Sequence, residues 1–131
     1  MTTDLWCLVW TAVLSVAIPN IYLVGRVQVA GGIAWMRGNR DAPLDAPPWV
    51  GRAVRAHANL VEGLAPFAIL VLVAHVAGRA NGWTALGAEI FLLARIAHFV
   101  IYTAGIPDLR TLAFMAGVVG ELLILLQLFW S

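Results

Sequence analysis

Four long apolar stretches constrain this chain more than any other feature of its sequence. They lie at residues 5–24, 53–77, 83–104 and 109–130. An α-helix rises about 1.5 Å per residue, so roughly 20 residues cross a hydrocarbon core of about 30 Å. The alternation of polar and apolar residues that a transmembrane β-barrel requires is missing from the sequence. The sequence therefore predicts an all-α integral membrane protein, a four-helix bundle with four transmembrane helices.

The composition agrees with a lipid environment. Of the 131 residues, 62% are hydrophobic and 11% are charged, whereas soluble domains contain about 25% charged residues. The formal net charge of +1 gives no reason to expect a nucleic-acid partner. The single Cys7 cannot form an internal disulfide. His57 and His75 have no cysteine or carboxylate at ligand spacing, so no metal site is predicted.

The placement of arginines predicts the orientation in the membrane. The polar connection at residues 26–52 and the helix ends beside it contain most of the basic residues: Arg26, Arg37, Arg40, Arg52 and Arg55. The positive-inside rule places this connection in the cytoplasm and both chain termini on the non-cytoplasmic side. We expect one domain over residues 1–131, with an interruption of the first helix at Pro19-Asn20.

Polar residues recur at helical spacing inside two of the apolar stretches. Two triads can be recognised: Arg55, Asn59 and Glu62 in the second stretch, and Arg95, His98 and Tyr102 in the third. At about 100° per residue, the members of each triad lie on one side of their helix. Ionisable groups are costly in a bilayer and face protein or a water-filled cavity. The two polar sides are therefore predicted to face each other.

The depth of these residues predicts how they meet. Glu62 and Arg95 each lie about nine residues from the arginine-rich side, so we expect them to pair. Together with Arg110, at the start of the fourth stretch, the triads predict an arginine-rich pocket for an anionic, amphipathic ligand. Two alternatives stay open: a purely structural Glu62–Arg95 pair, and arginines that merely extend to the lipid–water interface. Glu89 and Glu121 are expected to face protein, with no partner that the sequence can name.

These motifs resemble a known family. The pattern R-x3-N-x2-E, preceded by the Pro-rich segment "APPWVGR", is similar to a hallmark of the membrane-associated proteins in eicosanoid and glutathione metabolism, the MAPEG family. The segments "ARIAHFVIY" and "GIPDLRT" resemble the family's A-R-x2-[HY]-x3-Y pattern and its later arginine. The resemblance covers essentially the whole chain. It implies a homotrimer with active sites between subunits near the cytoplasmic face. The compact sequence without lysine suggests a prokaryotic-type member in a bacterial inner membrane.

The resemblance also implies a ligand and a set of site residues. Glutathione would be the co-substrate, and the residues of its site would be Arg55, Asn59, Glu62, Arg95, His98 and Tyr102. Arg110 would be the catalytic residue that stabilises the glutathione thiolate, the nucleophilic form of a thiol. The implied function is a glutathione-dependent transferase or peroxidase that acts on lipophilic electrophiles, with membrane lipids around it.

Departures from the family pattern leave the reaction open. Gly63 follows the glutamate where leukotriene-forming members carry an aromatic residue. His98 and Thr111 agree instead with the prostaglandin-forming type. The first-loop arginine that some members use cannot be assigned between Arg26 and Arg37.

Two other functions compete with a glutathione enzyme. The first is a non-catalytic MAPEG-like scaffold, or a protein that binds lipids or small molecules without chemistry. The second is a proton-driven four-helix drug exporter. Such exporters need a carboxylate inside their first span, and here that span has only Asp4 at its very end. The exporter is therefore disfavoured.

Overall fold

The computed structural model describes residues 1–130, and all regular secondary structure in this range is helical. The helices are α1 (Thr3–Val27), α2 (Gly32–Arg37), α3 (Pro48–Val76), α4 (Gly82–Ala104) and α5 (Pro107–Trp130). All of them except α2 are long and apolar enough to cross a membrane. The prediction of an all-α protein with four transmembrane helices is confirmed. The side of the membrane on which the termini lie stays a prediction.

Helix α1 continues through Pro19, so the expected interruption at this residue is wrong. Proline has no N–H to offer to the carbonyl of Ser15, four residues earlier. The Nε2 atom of His57 on α3 lies 2.8 Å from that carbonyl oxygen, and Nδ1 of the same ring lies 3.2 Å from the Tyr22 hydroxyl. A neutral ring with its proton on Nε2 satisfies both contacts. The helix continues because a neighbouring helix supplies the donor that proline lacks.

The first connection contains a short helix that the sequence pattern did not predict. Helix α2 follows Gly31, whose φ of 73° is in the left-handed region that favours glycine. After a Pro-rich segment, α3 begins with Pro48 in its first turn, where a proline costs no hydrogen bond. As a result α3 starts before the apolar stretch, and Arg52 and Arg55 lie on its first two turns.

Helix α4 is at the centre of the bundle and contacts α1, α3 and α5. It approaches α5 most closely where Gly87 faces Gly120. A Cβ atom on Gly120 would lie 2.5 Å from the carbonyl oxygen of Gly87. Small residues allow this approach between membrane helices. Against α3, the rings of Phe91 and Phe67 stack with centroids 4.0 Å apart.

A buried carboxylate joins the helix ends that lie away from the first connection. Asp4 at the start of α1 is 2% exposed. Its Oδ1 atom lies 3.0 Å from Nε2 of His75 at the end of α3. Its Oδ2 atom accepts from the Thr84 hydroxyl across 3.2 Å, and Thr84 belongs to the capping box that begins α4. One side chain thus connects α1, α3 and α4 and fixes their relative heights.

Candidate functional site

A cavity of about 290 Å³ opens between α3, α4 and α5, near the end of the bundle that carries the first connection. It is lined by Asn59, His98, Tyr102, Arg110, Thr111 and Phe114. Three transmembrane helices therefore contribute polar side chains to one space. Four of these residues are among those that the sequence predicted for the site. Phe114 was not predicted, although its position one helical turn after Arg110 is a usable signal.

Tyr102 contacts two arginines at this cavity. Nε of Arg55 donates to the Tyr102 hydroxyl across 3.3 Å, and the guanidinium carbon of Arg55 lies 5.9 Å from the ring centroid. The guanidinium carbon of Arg110 lies 4.5 Å from the same centroid. Within residues 1–130, neither arginine has a carboxylate within 4.0 Å. The site therefore carries positive charge that the described chain does not neutralise.

His98 is held mainly by aromatic neighbours. It is buried, and its ring is nearly perpendicular to that of Tyr102 at a centroid distance of 5.5 Å. The ring of Phe114 on α5 lies 6.4 Å away. This packing fixes the wall of the cavity that α4 provides.

Arg95 is almost completely enclosed, with 3% of its surface exposed. Its Nη1 atom donates to Oδ1 of Asn59 across 2.8 Å. Its guanidinium carbon lies 4.7 Å from the ring centroid of Phe91 and 5.3 Å from that of Phe114. Cations are attracted to aromatic faces at such distances. Arg95 does not line the cavity itself but contacts two residues that do, Asn59 and Phe114.

Two glycines make room for this guanidinium. A Cβ atom on Gly63 of α3 would lie 3.1 Å from Nη2 of Arg95. A Cβ atom on Gly117 of α5 would lie 3.2 Å from the same nitrogen. Both distances are tighter than ordinary van der Waals contact, so a larger residue on either side of this slot around Arg95 would force the guanidinium to shift by a few tenths of an ångström.

The predicted pairing of Glu62 with Arg95 is wrong for the described chain. No ion pair within 4.0 Å joins them in residues 1–130. The depth estimate was sound, because Gly63, the neighbour of Glu62, contacts Arg95. The side chain of Arg95 is directed to Asn59 inside the bundle, whereas Glu62 lies on an exposed side of α3. The residue count predicted the level of the two residues correctly, but it did not predict their partners.

Arg52 has a structural role at the end of α4. Its Nε atom donates to the carbonyl oxygen of Thr103 across 2.9 Å. Its guanidinium also packs on Gly105, whose φ of 86° ends the helix. A cation at a helix C-terminus interacts favourably with the helix dipole and with its free carbonyls. This contact explains Arg52 without a ligand.

A larger cavity, about 460 Å³, lies beside the first and is formed by the end of α1, the first connection and the start of α3. Arg26, Trp35 and Arg55 are among the residues that line it. The guanidinium carbon of Arg26 lies 5.4 Å from the Trp35 ring centroid. Of the two first-loop arginines between which the sequence could not decide, Arg26 borders this cavity and Arg37 borders neither. Arg55 lines this larger cavity and is hydrogen-bonded to Tyr102, which lines the first one.

The chain belongs to the MAPEG family, whose model matches residues 4–130. The match extends over nearly the whole chain, so it includes every residue of the two cavities. It supports a membrane protein of glutathione and eicosanoid metabolism. A comparison with curated proteins found no match.

Proposed function

We propose that this protein is a glutathione-dependent membrane transferase or peroxidase acting on lipophilic electrophiles. The observation that carries the proposal is the contact of both Arg55 and Arg110 with Tyr102, at a cavity without a neutralising carboxylate. Glutathione carries two carboxylates and an acidic thiol, so it is an anionic ligand of matching charge. Membership of the MAPEG family supports glutathione over other anions.

The binding residues divide according to the groups of glutathione that they suit. Arginine pairs with carboxylate through charge-assisted hydrogen bonds, which suits Arg55. The amide of Asn59 and the ring nitrogens of His98 can hydrogen-bond to the peptide groups of the ligand. The carboxylate of Glu62 suits the ligand's ammonium group. Tyr102 holds Arg55 in place through its hydroxyl.

We assign to Arg110 the role of stabilising the thiolate form of glutathione. A thiol reacts as a nucleophile only after it loses its proton, and an adjacent cation lowers the thiol's pKa. In the conjugation step, the glutathione thiol gives its proton to solvent. The sulfur electron pair then forms a bond to the electrophilic carbon, and the bond to the leaving group breaks with its electron pair on that group. Arg110 stabilises the negative charge on sulfur before this attack.

The outer side of α5 offers lipophilic substrates a route to the sulfur. Leu109 directly precedes Arg110 in sequence, Leu112 and Met115 follow it closely, and all three are about half exposed or more. In a membrane this surface faces acyl chains, where apolar electrophiles concentrate. A substrate dissolved in the bilayer would therefore approach the cavity from its apolar side, while glutathione enters from water.

The exposed position of Glu62 supports a homotrimer. Glu62 lies about 15 residues into a 29-residue membrane helix, and the described chain gives it no ion pair. Charged groups at membrane depth face protein or a water-filled cavity. In a homotrimer with sites between subunits, the neighbouring subunit encloses Glu62 and the ligand together. The arginine-rich first connection supports a cytoplasmic opening, and the proposed location is the inner membrane of a bacterium.

A conjugation assay with purified protein in detergent tests the proposal. Glutathione and an activated aryl halide are the substrates, and Arg110→Ala is compared with Arg37→Ala, an exposed arginine that borders neither cavity. Loss of one charge-stabilising donor typically lowers catalysis by about 10²–10³-fold. We expect Arg110→Ala to lose activity on this scale and Arg37→Ala to keep it. Equal rates in the two variants would overturn the role of Arg110, and stabilisation by glutathione without turnover would favour the scaffold function.

A further inference from the structure

Two opposite charges lie near each other between α4 and α5, behind the wall of the proposed glutathione site. Arg95 is buried, and it interacts electrostatically with Glu121. No direct contact within 4.0 Å is formed. In the described part of the chain, Nε of Arg95 and Oε1 of Glu121 are both buried without a hydrogen-bond partner. One is a donor and the other an acceptor, so each is the kind of partner that the other lacks.

The surroundings of Arg95 show which of its nitrogens Glu121 can serve. Nη1 is taken by Asn59, and Nη2 faces Gly63 and Gly117. Nε is therefore the donor that still requires an acceptor. Glu121 lies one helical turn after Gly117 on α5, on the side of that helix where the slot opens. A carboxylate at this place offsets the charge of the guanidinium across the gap, and one bridging water would satisfy both unpaired atoms.

The arrangement continues from Arg95 to the cavity. Asn59 lines the cavity and uses its amide oxygen to accept from Arg95. Its amide nitrogen is left as the donor for a ligand. Anything that holds the Arg95 guanidinium in its slot therefore also holds the amide of Asn59 in one orientation.

We propose that Glu121 is a positioning residue for the glutathione site. It acts through Arg95 on Asn59 and does not touch the ligand. The inference rests on the proposed function, because it requires glutathione in the cavity lined by Asn59. It also explains why α5 carries a carboxylate at membrane depth, since a counter-charge for Arg95 offsets the cost of burying both groups.

The first test separates binding from turnover. Glu121→Gln keeps the size of the side chain and removes its charge. Glu89→Gln is the control, because Glu89 is an exposed carboxylate on α4 outside both cavities. We expect Glu121→Gln to raise the KM for glutathione about tenfold, which corresponds to the loss of about one hydrogen bond to the ligand. The value of kcat should change less than about twofold. Glu121→Asp, which restores the charge, should recover part of the loss. Unchanged KM in Glu121→Gln, with glutathione bound normally by the wild type, would overturn the positioning role alone.

The second test needs no glutathione, so it can also be applied to variants that are too unstable for kinetic assays. Thermal unfolding is measured in detergent for Arg95→Met, Glu121→Gln and the double variant. Removing one charge leaves the other buried and unpaired, so we expect the double variant to lose less stability than the sum of the single losses. Additive losses would overturn the Glu121–Arg95 interaction and the inference with it. A wild type that neither binds nor conjugates glutathione would overturn the proposed function and the positioning role, even where the two charges prove coupled.

Discussion

Gly63 on α3 faces the guanidinium of Arg95 on α4 so closely that an added Cβ atom would lie 3.1 Å from Nη2. This contact gives a physical reason for a departure from the family pattern, in which leukotriene-forming members carry an aromatic residue at that position. Here the space is taken by a buried arginine that holds Asn59. The glycine is therefore part of the site, although it offers no functional group.

Substitution of Gly63 tests this relationship. Alanine forces the guanidinium to shift by a few tenths of an ångström, and we expect a loss of about 1–3 kcal/mol in the free energy of unfolding, as for other overpacked sites. Tyrosine would displace Arg95 from Asn59 and weaken glutathione binding as well. Gly82→Ala is the control, because its Cβ would meet nothing within 4 Å. Thermal unfolding and glutathione titration provide the measurements, and a Gly63→Tyr variant that binds glutathione normally would contradict the slot.

Tyr102 offers a test that separates its hydroxyl from its ring. Tyr102→Phe removes the acceptor for Arg55 and keeps the face on which Arg110 lies. Tyr102→Leu removes both. One exposed hydrogen bond to a charged group and one cation–π contact are each worth about 1 kcal/mol, so we expect the KM for glutathione to rise about fivefold in the first variant. In the second, kcat should fall too, because Arg110 loses its support. Identical kinetics of the two variants would show that the ring does not orient Arg110.

Asp4 is expected to matter for stability and not for the site. Asp4→Ala removes the acceptor of Thr84 and the partner of His75. A buried polar group left without a partner lowers the free energy of unfolding by about 1–3 kcal/mol, so the melting temperature should fall clearly. The KM for glutathione should not change in protein that remains folded. Asp41→Ala, an exposed aspartate of the first connection, is the control and should leave both quantities unchanged. A raised KM with normal stability would mean that the distant helix ends are coupled to the cavity.

Much of this structure follows from helical period and length alone. Four apolar stretches could only become four transmembrane helices, and the spacing of His98 and Tyr102 placed both on the side of α4 that meets Asn59 and Arg110. The pattern is informative here because every polar residue inside a membrane helix must find protein or water.

Other features depend on contacts between helices, which no single helix encodes. The Arg95 partner is Asn59 because glycines on two neighbouring helices open a slot toward it. Helix α1 passes Pro19 because His57 comes from α3 to the freed carbonyl. Helix α2 has only 6 residues, too few for a periodic pattern to be recognised.

The amount of thiolate in bound glutathione tests the proposed role of Arg110 most directly. Ultraviolet difference spectra at neutral pH measure thiolate absorbance when glutathione is added to the purified protein. We predict a thiolate signal for the wild type and for Arg37→Ala, and its loss in Arg110→Ala at glutathione concentrations that saturate that variant. A thiolate signal of equal size in Arg110→Ala, or bound glutathione without any thiolate signal in the wild type, would contradict it.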